Sequence, residues 1–344
     1  MQIEKAQFQA NLELLQKCSS PSQNEDISDK VMFHKDGMAN ASRGRLFTYL
    51  EGSFDFEGVF NLDNLTKIVR AMPGDIIEIN FIEDELKISA SKTKLDLTLI
   101  PIDNFKEKYI EKAFAYFEGQ KFRKLPETFK EGLKMVARCA SNVKGTIMSN
   151  VAVLSEFMVA SDNYKIGHYV LKHSFQKEFL LDTYNIQPIL DFNPFMYLLM
   201  EDRIIFMNLN NDYQMCAINQ RGKYPDFSDL IQNLLPEQTV IFPDEMSQCI
   251  DLAQLLPGKN PDTQMKISVS KNKMALSCKT SSGRFSKNLR IDYSGPIINM
   301  AMNLDTLGDV LKNMGHSINI SSTETGIVQA GAFSYLFPVE IVTE

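Results

Sequence analysis

Apolar residues recur at helical spacing in six stretches of the chain, and alternate with polar ones in most of what lies between. Three of the helical stretches follow an Asn that is itself preceded by an apolar residue: Phe60-Asn61-Leu62, Phe192-Asn193-Pro194 and Met302-Asn303-Leu304. An Asn side chain accepts from the unsatisfied amides of a first helical turn, and Pro suits the first helical position, where no donor is needed. The pattern predicts helices over 62–72, 194–201 and 304–314. Leu62, Leu65, Ile68, Val69 and Met72 form one stripe, as do Leu304, Leu307, Val310, Leu311 and Met314. A second helix is expected ahead of each: over 6–17 (Phe8, Leu12, Leu15), 127–140 (Phe129, Leu133, Val136, Ala137, Ala140) and 244–256 (Met246, Ile250, Ala253, Leu256). Pro126 and Pro243 stand just before the last two.

Strands are expected between the helices. Residues 76–81 and 86–89 flank the acidic turn Glu83-Asp84-Glu85, residues 204–209 and 213–218 flank Asn210-Asn211-Asp212, and residues 265–269 and 274–278 flank a Ser-Lys-Asn-Lys turn. The order helix, hairpins, helix, hairpins occurs three times. It predicts three domains, residues 1–105, 106–236 and 237–344, with borders near Asp103–Glu107 and Leu235–Gln238. Each would set two helices on one face of antiparallel sheet, an α+β layer architecture.

Composition narrows the function classes. The 44% hydrophobic and 23% charged fractions are ordinary for a soluble globular protein. No apolar run approaches the ~20 residues that span a bilayer, and Met1-Gln2-Ile3-Glu4-Lys5 does not open a signal peptide, so a cytoplasmic location without membrane contact is expected. Cys18, Cys139, Cys216, Cys249 and Cys278 lie far apart without CxxC spacing, which excludes a zinc ribbon and predicts buried free thiols in a reducing compartment. The net charge of −7 argues against a nucleic-acid binder unless positive charge is segregated on one surface.

Three local segments set on the repeat carry a resemblance. Val159-Ala160-Ser161-Asp162-Asn163-Tyr164-Lys165-Ile166 resembles the Ala-Thr-Asp-Gly-His-Arg-Leu segment of the bacterial β sliding clamp. Gly222-Lys223-Tyr224-Pro225-Asp226-Phe227 is similar to that family's Gly-x-Phe-Pro-Asp-Tyr, and Ser334-Tyr335-Leu336-Phe337-Pro338-Val339 to its C-terminal Met-Pro strand. The likeness covers nearly the whole chain in order. It departs where Asn163 replaces Gly, where Tyr164 replaces His, and in the tail beyond Pro338, which implies a distant relative and raises the expectation of a virus-encoded one.

The resemblance implies a sliding clamp: a head-to-tail homodimer of six domains encircling duplex DNA, without cofactor, metal or enzymatic activity. It would tether a DNA polymerase and be opened by a separate ATP-dependent loader, since the chain has no nucleotide-binding motif. Domain one of one chain would meet domain three of the other, and Lys94–Leu99 reads equally as an edge or an interior strand. Twelve helices would line the pore and hold duplex through weak, exchangeable phosphate contacts. Lys130, Lys134 and Arg138 recur every four residues opposite Phe129, Leu133 and Val136, and Lys67 and Arg70 share a face. Lys17, Lys144 and Lys312 would add to the lining. Helices 194–201 and 244–256 contribute no Lys or Arg.

Resemblance also implies a groove for short, partly hydrophobic peptides of partner proteins. Position by position it would comprise Met148, Ser161, Asn163, Tyr164, Lys165, Ile166, Pro225, Leu230, Tyr335, Leu336, Phe337, Pro338 and Val339. That set pools apolar side chains with a few polar ones, as peptide grooves do. Rival readings are weaker. The four histidines are scattered, and there is no Gly-rich phosphate loop or GxSxG elbow for an enzyme. An assembly protein would share the repeat without pore or groove, and a ring that recruits transcription machinery is not separable from one that recruits a polymerase.

Overall fold

The computed structural model describes residues 1–19, 29–42, 46–102, 104–117, 119–209, 212–220, 222–232, 236–260, 263–313, 317–321, 325–338 and 340–342. The expectations for Met314, Val339 and the border positions Asp103 and Leu235 fall outside these. Helices among the described residues are α1 (Lys5–Cys18), α2 (Leu62–Ala71), α3 (Lys112–Phe114, continuing π-helical turns over Lys106–Glu111), α4 (Phe129–Ala137), α5 (Thr183–Phe192), α6 (Ser228–Gln232), α7 (Glu245–Gln254) and α8 (Leu304–Asn313). None is long and apolar enough to cross a membrane.

Five of the six expected helices form, and the sixth is displaced. Residues 194–201 are not helical: Met196–Leu199 is a strand, and the helix of this repeat is α5. Asn193 closes α5 instead of opening a helix, with φ 54° and ψ 58° in the left-handed region that Asn tolerates. The cap is Asp182, whose side chain accepts from Tyr184 N–H at 3.0 Å. Pro188 lies inside α5 and masked it in the sequence. The true repeat is therefore a strand ending on an Asx side chain that caps the next helix. Asn61 accepts from Asn64 N–H at 2.9 Å, and Asn303 from Asp305 N–H at 3.0 Å.

Two compact units make up the chain. The first comprises Met1–Lys130 with Gln176–Arg221. Its eight-stranded antiparallel sheet runs in the order Gly58–Asn61, Lys30–His34, Gly37–Ser42, Leu46–Glu51, Tyr213–Ile218, Arg203–Met207, Met196–Leu199, Arg123–Lys124. A four-stranded sheet holds Gln2–Glu4, Ile76–Ile82, Glu85–Ala90 and Thr93–Thr98. Helix α1 packs against α2 and α5. Phe8, Leu12, Leu15, Leu62, Leu65 and Val69 are buried with Phe33, Phe54, Phe56 and Phe60, the Phe33 and Phe54 rings meeting edge-on at 5.0 Å. The opposite face of the large sheet is also covered. Phe105, Ile110 and Ala113 of the π-helical segment and α3 pack on Met32, Ala39, Ala41, Phe47 and Cys216. Every residue of Gly37–Ser42 is consequently buried, where a one-sided sheet would alternate.

The second unit comprises Glu131–Phe175 with Gly222–Glu344. One sheet contains, in order, Asn150–Val153, Phe157–Ser161, Ile166–Val170, Phe333–Pro338, Thr325–Ala330, Ser317–Ser321 and Pro236–Ile241. The other runs Arg284–Arg290, Lys273–Lys279, Gln264–Ser270, Ile297–Asn303, Glu340–Val342. Helices α7 and α8 pack together, burying Met246, Ile250 and Ala253 with Leu304, Leu307 and Val310. Gly132 lets α4 approach its sheet closely: a Cβ there would sit 2.4 Å from Met158 Cε and 2.6 Å from Tyr169 Cδ1.

The helix-capping repeat makes a direct prediction. Asn61→Ala, Asp182→Ala and Asn303→Ala should each lower stability by about 1 kcal/mol, read as a shift of the urea midpoint. Asn193→Ala, which does not cap an N-terminus, should leave the amides of Phe195, Met196 and Tyr197 no less protected from hydrogen exchange.

Candidate nucleic-acid interface and docking surface

The expected DNA-facing residues lie mostly in water. In the first unit Lys17, Lys67 and Arg70 are exposed on α1 and α2, and Lys130 is half-buried with its ammonium donating to Asn193 Oδ1. Lys67 pairs with Asp63 at 3.2 Å and Arg70 with Glu13 at 2.9 Å. The Glu13 carboxyl is held below its ordinary value by hydrogen bonds from Gln9 and Arg70. Exposed pairs of this kind contribute little stability, so their cations exchange readily onto a phosphate. In the second unit Lys134, Arg138, Lys144 and Lys312 are exposed, Lys312 lying 3.6 Å from Asp251.

Helix α4 ends sooner than the expected 140. Cys139 N–H donates to Val136 O and Ala140 N–H to Ala137 O, three residues back, so Arg138 sits on a tight closing turn. Helix α5, which replaces the expected 194–201, likewise carries no Lys or Arg.

Ser161, Ile166, Tyr335, Leu336, Phe337 and Pro338 lie on or beside one strand junction of the second unit, where Ile166–Val170 pairs antiparallel with Phe333–Pro338 and Ile166 lies opposite Leu336. Register divides them between two faces. Ser161, Ile166 and Leu336 are directly paired in one cross-strand row, whereas Tyr335 lies opposite Gly167. A Cβ on Gly167 would be 2.6 Å from Cys139 Sγ, so Tyr335 and Phe337 belong to the face that meets the end of α4. Their rings lie 5.6 Å apart. Met148, Ser161, Ile166, Tyr335, Leu336 and Phe337 are buried, and Lys165 is half-buried. Asn163, Tyr164, Pro225, Leu230 and Pro338 are exposed, Tyr164 at 80%.

The turn that presents Tyr164 is built by local side-chain hydrogen bonds. Asp162 Oδ1 accepts from Tyr164 N–H at 3.0 Å and Lys165 N–H at 2.9 Å, and Ser161 Oγ accepts from Asn163 N–H at 3.1 Å. Asn163, where the resembling segment has Gly, takes φ +77°, a value Asn accepts with little strain. Tyr224 is absent from the expected docking set, yet it ties the second segment to the first: Ser161 N–H donates to its hydroxyl at 2.9 Å. Its position just before Pro225 was the available signal. Burial pushes the Tyr224 phenol up to about 12. Asp226 accepts from Ser228 N–H at 2.9 Å and starts α6, which carries the exposed Leu230.

All five cysteines are buried free thiols, and burial raises Cys139 and Cys216 to about 12.

No family model and no curated protein matches the chain. Solved structures do. The β sliding clamp of C. crescentus aligns with a TM-score of 0.78 at 14% identity, covering 99% of each chain. The DNA polymerase III β subunit of Thermotoga maritima aligns at 0.77 and 17%, again over 99% of each. The DNA polymerase III β chain of Streptococcus pneumoniae aligns at 0.77 and 16%, over 100% of this chain and 99% of that one. The chain has the sliding-clamp fold.

The Tyr224 hydroxyl can be tested by deletion. Tyr224→Phe leaves the buried Ser161 amide without its acceptor and should cost about 1–3 kcal/mol. Because the folded phenol is raised, its contribution is complete below the ordinary Tyr range and is lost as pH rises toward about 12. The stability gap between wild type and variant, measured by urea unfolding, should therefore narrow above about pH 10.

Proposed function

We propose that this chain is a DNA sliding clamp: a homodimeric ring that encircles duplex DNA, tethers a DNA polymerase and docks partners through short peptides. The observation that carries the reading is a rule of strand pairing. The described strands include six antiparallel meanders of three consecutive strands each, whose third strands are Leu46–Glu51, Thr93–Thr98, Ile166–Val170, Tyr213–Ile218, Arg284–Arg290 and Phe333–Pro338. Four of these third strands pair with one another, Leu46–Glu51 with Tyr213–Ile218 and Ile166–Val170 with Phe333–Pro338. Two lie at sheet edges with their outer sides unpaired: Thr93–Thr98 and Arg284–Arg290.

On the three-domain reading (1–105, 106–236 and 237–344) each existing pair bridges two neighbouring domains. The same bond made between Thr93–Thr98 of one chain and Arg284–Arg290 of another would join domain one to domain three. Two such junctions close two chains into a ring of six domains. Exposed apolar side chains support these edges as contact surfaces: Leu95 is 40% exposed, and Leu252 and Leu255, at the end of the helix packed on Arg284–Arg290, are 58% and 78% exposed.

In such a ring, retention on DNA is topological. Lys17, Lys67, Arg70, Lys130, Lys134, Arg138, Lys144 and Lys312 would need only loose, sequence-independent phosphate contacts, which suits cations that are exposed apart from the half-buried Lys130, with Lys67, Arg70 and Lys312 in weak ion pairs. No residue is asked to do covalent chemistry, and opening would fall to a separate ATP-dependent loader. A polymerase-derived peptide would reach the exposed Tyr164, Pro225, Leu230 and Pro338 first.

Native mass spectrometry should give two chains, and protein loaded onto nicked circular DNA by a clamp loader with ATP should stay on the circle and leave once it is linearised. Leu95→Asp and Leu255→Asp, both at exposed positions, should each yield single chains and abolish retention while keeping the circular dichroism spectrum of the folded chain. A wild-type monomer with equal retention on circle and line would refute the ring.

A further inference from the structure

The sheet built from Gln264–Ser270, Lys273–Lys279, Arg284–Arg290 and Ile297–Asn303 has two unlike faces. Met265, Ile267, Val269, Met274, Leu276, Cys278, Ile298, Met300 and Met302 are buried on the face covered by α7 and α8. The register sets the other face. Lys266 lies opposite Ser277, which lies opposite Ser286, while Lys279 faces Arg284 and Lys273 faces Arg290. Lys266, Lys273, Lys279, Arg284 and Arg290 thus share one exposed surface. These four strands contain no Asp or Glu, and none of the five cations makes an ion pair among the described residues.

The four-stranded sheet of the first unit is an internal control. Its corresponding exposed face mixes signs: Glu78, Glu85 and Asp96 stand among Lys87 and Lys94, with Lys87 lying 3.8 Å from Glu85. Exposure alone therefore does not make such a sheet basic. In a chain of net charge −7, five unpaired cations on one face are a segregated charge.

The surface is also shaped. A concavity of about 500 Å³ is lined by Lys266, Lys279 and Arg284 together with the hydroxyls of Ser277, Thr280 and Ser281. It adjoins a second of about 790 Å³, with which it shares Gln264, Lys266 and Ser277. The six-residue strand step from Lys273 to Lys279 spans about 20 Å, and neighbouring strands lie about 5 Å apart, so the cations are spread like the charges of a phosphodiester chain.

We propose that this face binds the phosphate backbone of a nucleic-acid strand, at a site separate from the helices assigned to the pore. Recognition is by charge, since the Thr280 hydroxyl donates to Pro257 O and the Ser281 hydroxyl to Gly258 O. Among the described residues of these strands no aromatic ring lies on the face for bases to stack on, so single strand and duplex are held alike and without sequence preference. The site does not depend on ring closure.

The test uses the full-length protein without a loader, and fluorescence anisotropy of labelled dT20 and of a 20-base-pair duplex across a salt series. Lys266→Ala/Lys279→Ala/Arg284→Ala should weaken both probes at least about tenfold and reduce the dT20 salt slope by about 2, the loss of three phosphate contacts. The Lys266→Arg/Lys279→Arg variant should keep wild-type binding, and unchanged unfolding midpoints separate a lost site from a lost fold. Unchanged affinity and slope in the triple Ala variant overturn the proposal. So does weakening seen only in Lys17→Ala/Lys67→Ala/Lys134→Ala, which would assign all binding to the helices and leave the clamp reading intact. Competition by a 20-residue poly-glutamate as strong as that by unlabelled dT20 also overturns it, since the occupant would then be an acidic polypeptide.

Discussion

An unpaired strand edge is a row of backbone donors and acceptors that must find partners, and the architecture is organised around where those partners come from. Within each unit one long sheet is made continuous by a single antiparallel junction between strands far apart in sequence. Phe47 is opposite Cys216 in the first unit, and Gly167 is opposite Tyr335 in the second. Ser161, Ile166, Tyr335, Leu336 and Phe337 of the candidate docking set lie on or beside the second junction. Ile166 and Leu336 owe their proximity wholly to that junction.

Much of the fold was legible because periodicity is a local property. Hairpins with strict alternation, such as Ile76–Ile82 with Glu85–Ala90, appear within a residue or two of the expected bounds. The displaced helix shows the limit. Asn serves both as an N-cap and as a left-handed C-terminal residue, and Phe192-Asn193-Pro194 reads the same either way until the strand Met196–Leu199 is seen to follow it. The π-helical Lys106–Glu111 is hidden in the sequence because Phe105, Ile110 and Ala113 fall at the expected domain border. Its role, sealing the second face of a sheet, is visible only once that sheet is assembled.

The candidate sites were legible to different depths. Charges on α1, α2 and α4 follow from helical spacing, but their partners do not. Arg70 meets Glu13 across two helices fifty-seven residues apart in sequence. The contiguous run Tyr335-Leu336-Phe337 looks like one patch in the sequence, yet strand alternation sends Leu336 to one face and its neighbours to the other. The basic sheet face is less legible still. Lys266, Lys279 and Arg284 belong to three strands, and only cross-strand register brings them together.

The distance along the chain between junction partners also bears on biosynthesis. Strand Leu46–Glu51 emerges from a ribosome long before Tyr213–Ile218 exists to pair with it, the register partners Phe47 and Cys216 being 169 residues apart. At synthesis rates of about 5–20 residues per second, that edge stands open for roughly 10–30 s on a nascent chain. A hydrophobic strand waiting that long is a ready template for pairing between neighbouring polypeptides on one message. The junction that gives the finished protein its continuous sheet thus makes its early translation the aggregation-prone interval, and the stage at which a ribosome-associated chaperone would have most effect.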